Sequence, residues 1–126
     1  MFYEIRDLVK KNSEAKDRLN HMYDGQLHAV QELIVRLPVI DCSRVIWPIS
    51  EIWKKGLRDN SRRVGMTVYC DWSGQVSRSF DMSSADSNML MLDGKEVIRY
   101  RSTGKIDDQQ LAEIVRTLAL LINELP

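Results

Sequence analysis

The stretch "LPVIDCSRVIWPISEIWKKGLRDNSRRVGMTVYCD", residues 37–71, decides the fold. It opens with a short run rich in valine and isoleucine, of the type buried on both faces of a parallel sheet. Pro48 and Ser50 then start a helical segment over 48–63, which carries Ile52, Trp53 and Leu57 and frays through Asp59, Asn60 and Ser61. Residues 65–71, "GMTVYCD", return to a strand pattern. A parallel pair needs a crossover and takes it right-handed, so the two strands around this helix are expected side by side.

Working outward, Asp71, Ser73 and Gly74 read as a strand-to-helix turn that needs no calcium, followed by a short helix at "QVSRSF". "SNMLMLDGKEVIRYRS", residues 87–102, places Asp93-Gly94 between two β-prone runs, which predicts a hairpin with positive φ at both turn residues. In "DDQQLAEIVRTLALLINEL" the apolar residues Leu111, Ile114, Val115, Leu118, Leu121, Ile122 and Leu125 recur at three and four, an amphipathic helix. Asp107 with Gln110 three residues on predicts a capping box at its start. Upstream, Leu19, Met22, Tyr23, Leu27, Val30, Leu33 and Ile34 outline a helix that ends at Leu37-Pro38, weakened in its middle by Gly25. Residues 2–9 fit either period, with Tyr3, Ile5 and Val9 for a strand or Phe2, Ile5, Leu8 and Val9 for a helical stripe. The strand reading is taken.

Composition bounds the rest. The chain of 126 residues encloses one core, so residues 1–126 are read as a single domain. Its 44% hydrophobic and 29% charged residues fall in the globular range. No apolar window is long enough for a bilayer, and "MFYEIRDLVKK" lacks a secretory core, so the chain reads as cytoplasmic, or as periplasmic if a signal has been removed. Eighteen basic and eighteen acidic side chains cancel, which argues against a nucleic-acid surface. A local basic excess, Lys54, Lys55, Arg58, Arg62 and Arg63, reads first as a solvated helix rim and second as an anion site whose affinity would fall with salt.

In order, the elements are β, α, β, α, β, a short helix, a hairpin and a last helix. That is the order of a thioredoxin-like α/β fold, a central mixed sheet with helices on both faces and the extra strand of peroxiredoxins. "YCDWSGQVSRSFDM", "NMLMLDGKEVIRY" and "GKIDDQQLAEIV" resemble the peroxiredoxin-like pattern of strand, turn glycine, short helix, hairpin and final helix. "VIDCSRVIW" and the helix after it are more similar to the YtfJ-type family of thioredoxin-like proteins, a resemblance that covers roughly residues 38–126. Thioredoxin-like catalysis needs a Cys-X-X-Cys or single cysteine at the start of the first helix, where the helix N-terminus stabilises a thiolate. Here that region, "VKKNSEAKDRLNHMYDG", has none. The resemblance therefore implies a non-catalytic binding or interaction domain of undefined role. The alternative is a divergent thiol oxidoreductase or peroxidase using Cys42 with Cys70.

Each cysteine ends a predicted strand, and the parallel arrangement brings the two near one another. Buried filler is the first reading, ahead of a disulfide and of a reactive thiol. Asp71 beside Cys70 would raise a thiol pKa, whereas Cys42 lies between Asp41 and Arg44. His21 and His28 share a helical face but stand roughly 10 Å apart, too far to ligate one metal. No zinc spacing, nucleophile elbow or glycine-rich phosphate loop occurs, so no metal and no cofactor is expected. Trp47, Trp53 and Trp72 fall in or beside connections at one edge of the predicted sheet. With Lys54, Lys55 and Arg58 they form the candidate binding surface for a protein partner or for a homodimer, the plainer reading being that they cap the core.

Overall fold

The computed structural model describes the backbone of residues 1–126 and every side chain except that of Val64. The strands are β1 (Phe2–Glu4), β2 (Pro38–Asp41), β3 (Tyr69–Asp71), β4 (Asn88–Leu92) and β5 (Ile98–Thr103). The helices are α1 (Ser13–Asp24), α2 (His28–Gln31), α3 (Ile49–Val64), α4 (Gln75–Ser79) and α5 (Asp108–Asn123). They build an α/β domain around one five-stranded mixed sheet in the order β3-β2-β1-β4-β5. β1, β2 and β3 run parallel, whereas β4 is antiparallel to β1 and β5 antiparallel to β4. The expected neighbours on either side of residues 48–63 are paired, with Ile40 opposite Cys70 and Asp41 opposite Asp71.

Register assigns the side chains to faces, because paired residues share a face and successive ones alternate. Phe2, Ile40, Cys70, Met89 and Tyr100 lie on one face, and Tyr3, Val39, Asp71, Asn88 and Leu90 on the other. The first face carries the main core, in which Ala15 and Leu19 of α1 and Ile114, Leu118 and Leu121 of α5 pack on Phe2, Met89 and Met91. α5 earns its position through the predicted stripe and the predicted cap: the Asp107 carboxylate accepts from the Gln110 amide, and the Gln110 side chain accepts from the Asp107 amide. The second face is covered only by short pieces. The Asp71 carboxylate accepts from Tyr3 Oη at 2.9 Å and from the backbone N–H groups of Val76 and Ser77, so it fastens β1 and the start of α4 together. Gly74 takes φ +73 at that start, where an added Cβ would meet Ser43 and Arg78.

Three expectations need correction. The strand at residues 2–9 stops at Glu4 and gives way to a 3-10 turn over Arg6–Leu8, since Glu4 turns inward to an ion pair instead of continuing an apolar face. The helix expected through to Leu37 breaks at Gly25, and only the four-residue α2 follows before β2. The hairpin turn does not place Asp93 and Gly94 at positive φ. Glu96 does so at φ +64, while the Asp93 carboxylate accepts from the N–H groups of Lys95 and Val97. Those two bonds, with Arg99 adding its charge, hold Asp93 below the usual carboxylate range.

Candidate functional site

The candidate surface forms where α3 passes over the edge strand β3. α3 begins after the cis Trp47–Pro48 peptide and stops at Gly65, which takes the left-handed φ +66 that suits a residue without Cβ. The chain returning into β3 is tied to the helix by Ser61 Oγ, which accepts from the Val68 N–H at 3.0 Å. Between the two elements lies an open groove of about 440 Å³. Its floor is Leu57, Val68, Cys70 and Trp72, and its rim carries Lys54, Arg58 and Arg62.

The structure brings together part of the set expected from sequence. Lys54, Arg58 and Trp72 meet in the groove, where the Lys54 ammonium stands 5.3 Å from the Trp72 ring centroid. Trp53 is half-buried, with the Arg6 guanidinium 5.2 Å from its ring centroid. Contacts of this kind contribute about 0.5–1 kcal/mol at exposed sites. Lys55 points to solvent outside the groove. Trp47 is 76% exposed and lies outside the groove, as do the exposed Ile46 of the β2–α3 connection and Ile49 and Ile52 of α3. Of the three tryptophans only Trp72 lines the groove, while Trp53 lies against Arg6 and Trp47 is exposed. The sequence reading left out Leu57, Ser61 and Val68 as groove residues. Their signal was the spacing of four between Leu57 and Ser61, which puts both on the helix face turned toward β3.

Beneath the groove sit the cysteines, both free thiols. Cys42 is fully buried, and its backbone N–H donates to the Asp71 carbonyl. Burial, followed by the neighbouring thiol of Cys70 and the carboxylates of Asp41 and Asp71, pushes the Cys42 thiol up to about 12. Burial also raises Cys70, offset in part by Cys42. Both groups are thus held as thiols at neutral pH. A nucleophilic or metal-ligating sulfur needs the opposite field. Among the described residues no group of three His, Cys, Asp or Glu side chains is placed to hold a metal ion, and His21 and His28 are exposed.

The start of α1, where a thioredoxin-like thiol would stand, is occupied by a polar seam. Asn12 is buried and donates to Ser87 Oγ and to the Gly104 carbonyl, each at 3.0 Å, while its own oxygen accepts from the Ile106 N–H. Ser87 Oγ in turn donates to buried Glu4, whose other carboxylate oxygen pairs with Lys16. Lys11 pairs with Asp86 alongside, at 2.6 Å. Each polar atom named in this seam has a partner, so the seam joins the chain ends and leaves no donor directed at a ligand. Among the described residues no helix is long and apolar enough to cross a membrane. Comparison with protein-family models, curated proteins and solved structures gave no match for this chain.

Proposed function

We propose that this chain is a thioredoxin-like domain, of the kind found in YtfJ-type proteins, that acts by binding a protein partner and not by thiol chemistry. The element order supports the fold part of the reading: a β-α-β unit, an added edge strand, then a hairpin and a closing helix around a central β1. The observation that carries the functional part is the contrast between the start of α1 and the flank of α3 that faces β3. The start of α1 is filled by Asn12 and its satisfied bonds, while the α3 side presents an open groove with cations on its rim and, outside it, the exposed apolar side chains of Trp47 and Ile52. Exposed apolar area next to a polar rim is the usual make-up of a contact surface.

The test is maleimide labelling of the native protein at neutral pH, with and without prior peroxide treatment, read by intact mass. Cys42 and Cys70 are expected to label slowly and to show no loss of two hydrogens after peroxide. Rapid labelling of Cys42 at neutral pH overturns the binding reading.

A second reading has one observation in its favour, the closeness of the two sulfurs, each of which shifts the protonation of the other. It makes the pair a dithiol of a divergent oxidoreductase or peroxidase. A two-hydrogen loss in the peroxide arm is its expected signature, and the raised thiol pKa values stand against it.

A further inference from the structure

We infer that the α3–β3 groove receives an extended acidic segment of a partner protein, added as a sixth strand along the free edge of β3. This rests on the binding reading above and specifies the partner chemistry of the same surface.

The backbone supplies the first argument. β3 ends the sheet order, so its outer side has no strand neighbour. The Asp71 carbonyl accepts from the Cys42 N–H and therefore faces β2. Backbone groups alternate sides along a strand, so the N–H and C=O of Cys70, one residue earlier, point outward. An extended chain can pair with them, the strand-addition mode of peptide recognition. Tyr69, 46% exposed on the opposite face of the sheet, offers an aromatic neighbour for the other set of side chains of such a strand.

Charge and spacing supply the second. Lys54, Arg58 and Arg62 follow one another at four-residue intervals along the same flank of α3, all on the groove rim. A helix advances about 6 Å in four residues. In an extended strand, side chains on one face recur about every 6.7 Å. Three successive same-face carboxylates thus match the three cations to within about 1 Å per step, which long side chains absorb. Among the described residues Arg58 and Arg62 have no carboxylate at ion-pair distance, and Lys54 has only the exposed Glu51, at 3.0 Å. The apolar floor of Leu57, Val68 and Trp72 lies beneath and covers the aliphatic stems of the incoming acids.

The experiment uses the full chain and a capped peptide of alternating glutamate and valine, about eight residues long so that it spans the groove. A peptide of alternating lysine and valine is the comparator. Binding is read by tryptophan fluorescence and, residue by residue, by amide hydrogen exchange. The expected result is binding of the glutamate peptide with slowed exchange at the Cys70 amide, weakened about tenfold or more in the exposed-site double variant Arg58→Glu/Arg62→Glu and by added salt. Near-UV circular dichroism confirms that the variant is folded. Equal binding of the lysine peptide overturns the acidic occupant while the binding reading stands. Binding with unchanged exchange at Cys70 overturns strand addition. Absence of binding by both peptides overturns this inference, and the thiol-labelling test decides the functional reading separately.

Discussion

The two halves of the sheet treat polar groups in opposite ways. Around β1 and β4, the buried side chains of Glu4, Asn12, Ser87 and Asn88 are linked to each other and to the backbone, and the two amide hydrogens of Asn88 are shared among the carbonyls of Tyr3, Ser83 and Asp86. Around β3 and α3, an edge strand of three residues, a cationic rim and the exposed side chains of Ile46, Trp47, Ile49, Ile52 and Tyr69 face solvent. Burying polar groups is tolerable where they are paired, since an orphaned buried donor or acceptor costs about 1–3 kcal/mol against about 1 kcal/mol gained per bond. Leaving an edge and an apolar patch open is a liability unless something covers them. The first half therefore holds the fold together, and the second is the half with capacity left for a partner.

The comparison breaks most visibly at Asn12. Asn12→Ala strands the Ile106 N–H and takes a donor from both Ser87 and Gly104, so urea unfolding is expected to show a loss of about 3 kcal/mol. A loss below about 0.5 kcal/mol would mean that the seam is decoration. An alkaline effect of comparable size comes next. The Cys42 thiol titrates near 9 when unfolded and near 12 when folded, so below pH 9 both states keep the proton. Between those values only the unfolded state releases it, and stability falls with rising pH by up to about 1.4 kcal/mol per unit for this one group. Denaturation midpoints measured across that range should fall less steeply in Cys42→Ala than in the parent protein. The smallest effect belongs to the open half: Trp47→Ser/Ile52→Ser removes exposed apolar area only and should move stability by no more than about 0.5 kcal/mol. A large loss there would show that these side chains pack against the fold and are not free for a partner.

Legibility in the sequence follows the same division. The β-α-β unit at residues 37–71 and the capped helix α5 were readable because their information is local: a valine-isoleucine run, a period of three and four, and an Asp–Gln pair at the right spacing. Gly25 was recognised as a weak point, yet whether it merely weakens or ends a helix depends on packing that the sequence does not display. Asn12 was invisible, since nothing near it in the chain explains a buried asparagine. Its partners Gly104 and Ile106 lie 92 and 94 residues away. The candidate groove was half legible. The basic and aromatic residues were seen, but which of them share one flank depended on how α3 is rotated over β3. That rotation separated Lys55 from Lys54 and Arg58, while Trp47 lies ahead of the helix and outside the groove.

The position of β1 between β2 and β4 also constrains how the molecule can be made. On the ribosome β1 emerges first, but the Asn88 side chain that holds the Tyr3 carbonyl is synthesised 85 residues later. Until then the central strand has at most one neighbour, and one apolar edge stays open to chaperones or to other nascent chains. Such long-range closure makes folding slow and defers it until the β4–β5 hairpin has been made. A chain released before the β4–β5 hairpin is complete would thus be a substrate for quality control rather than a smaller version of the domain.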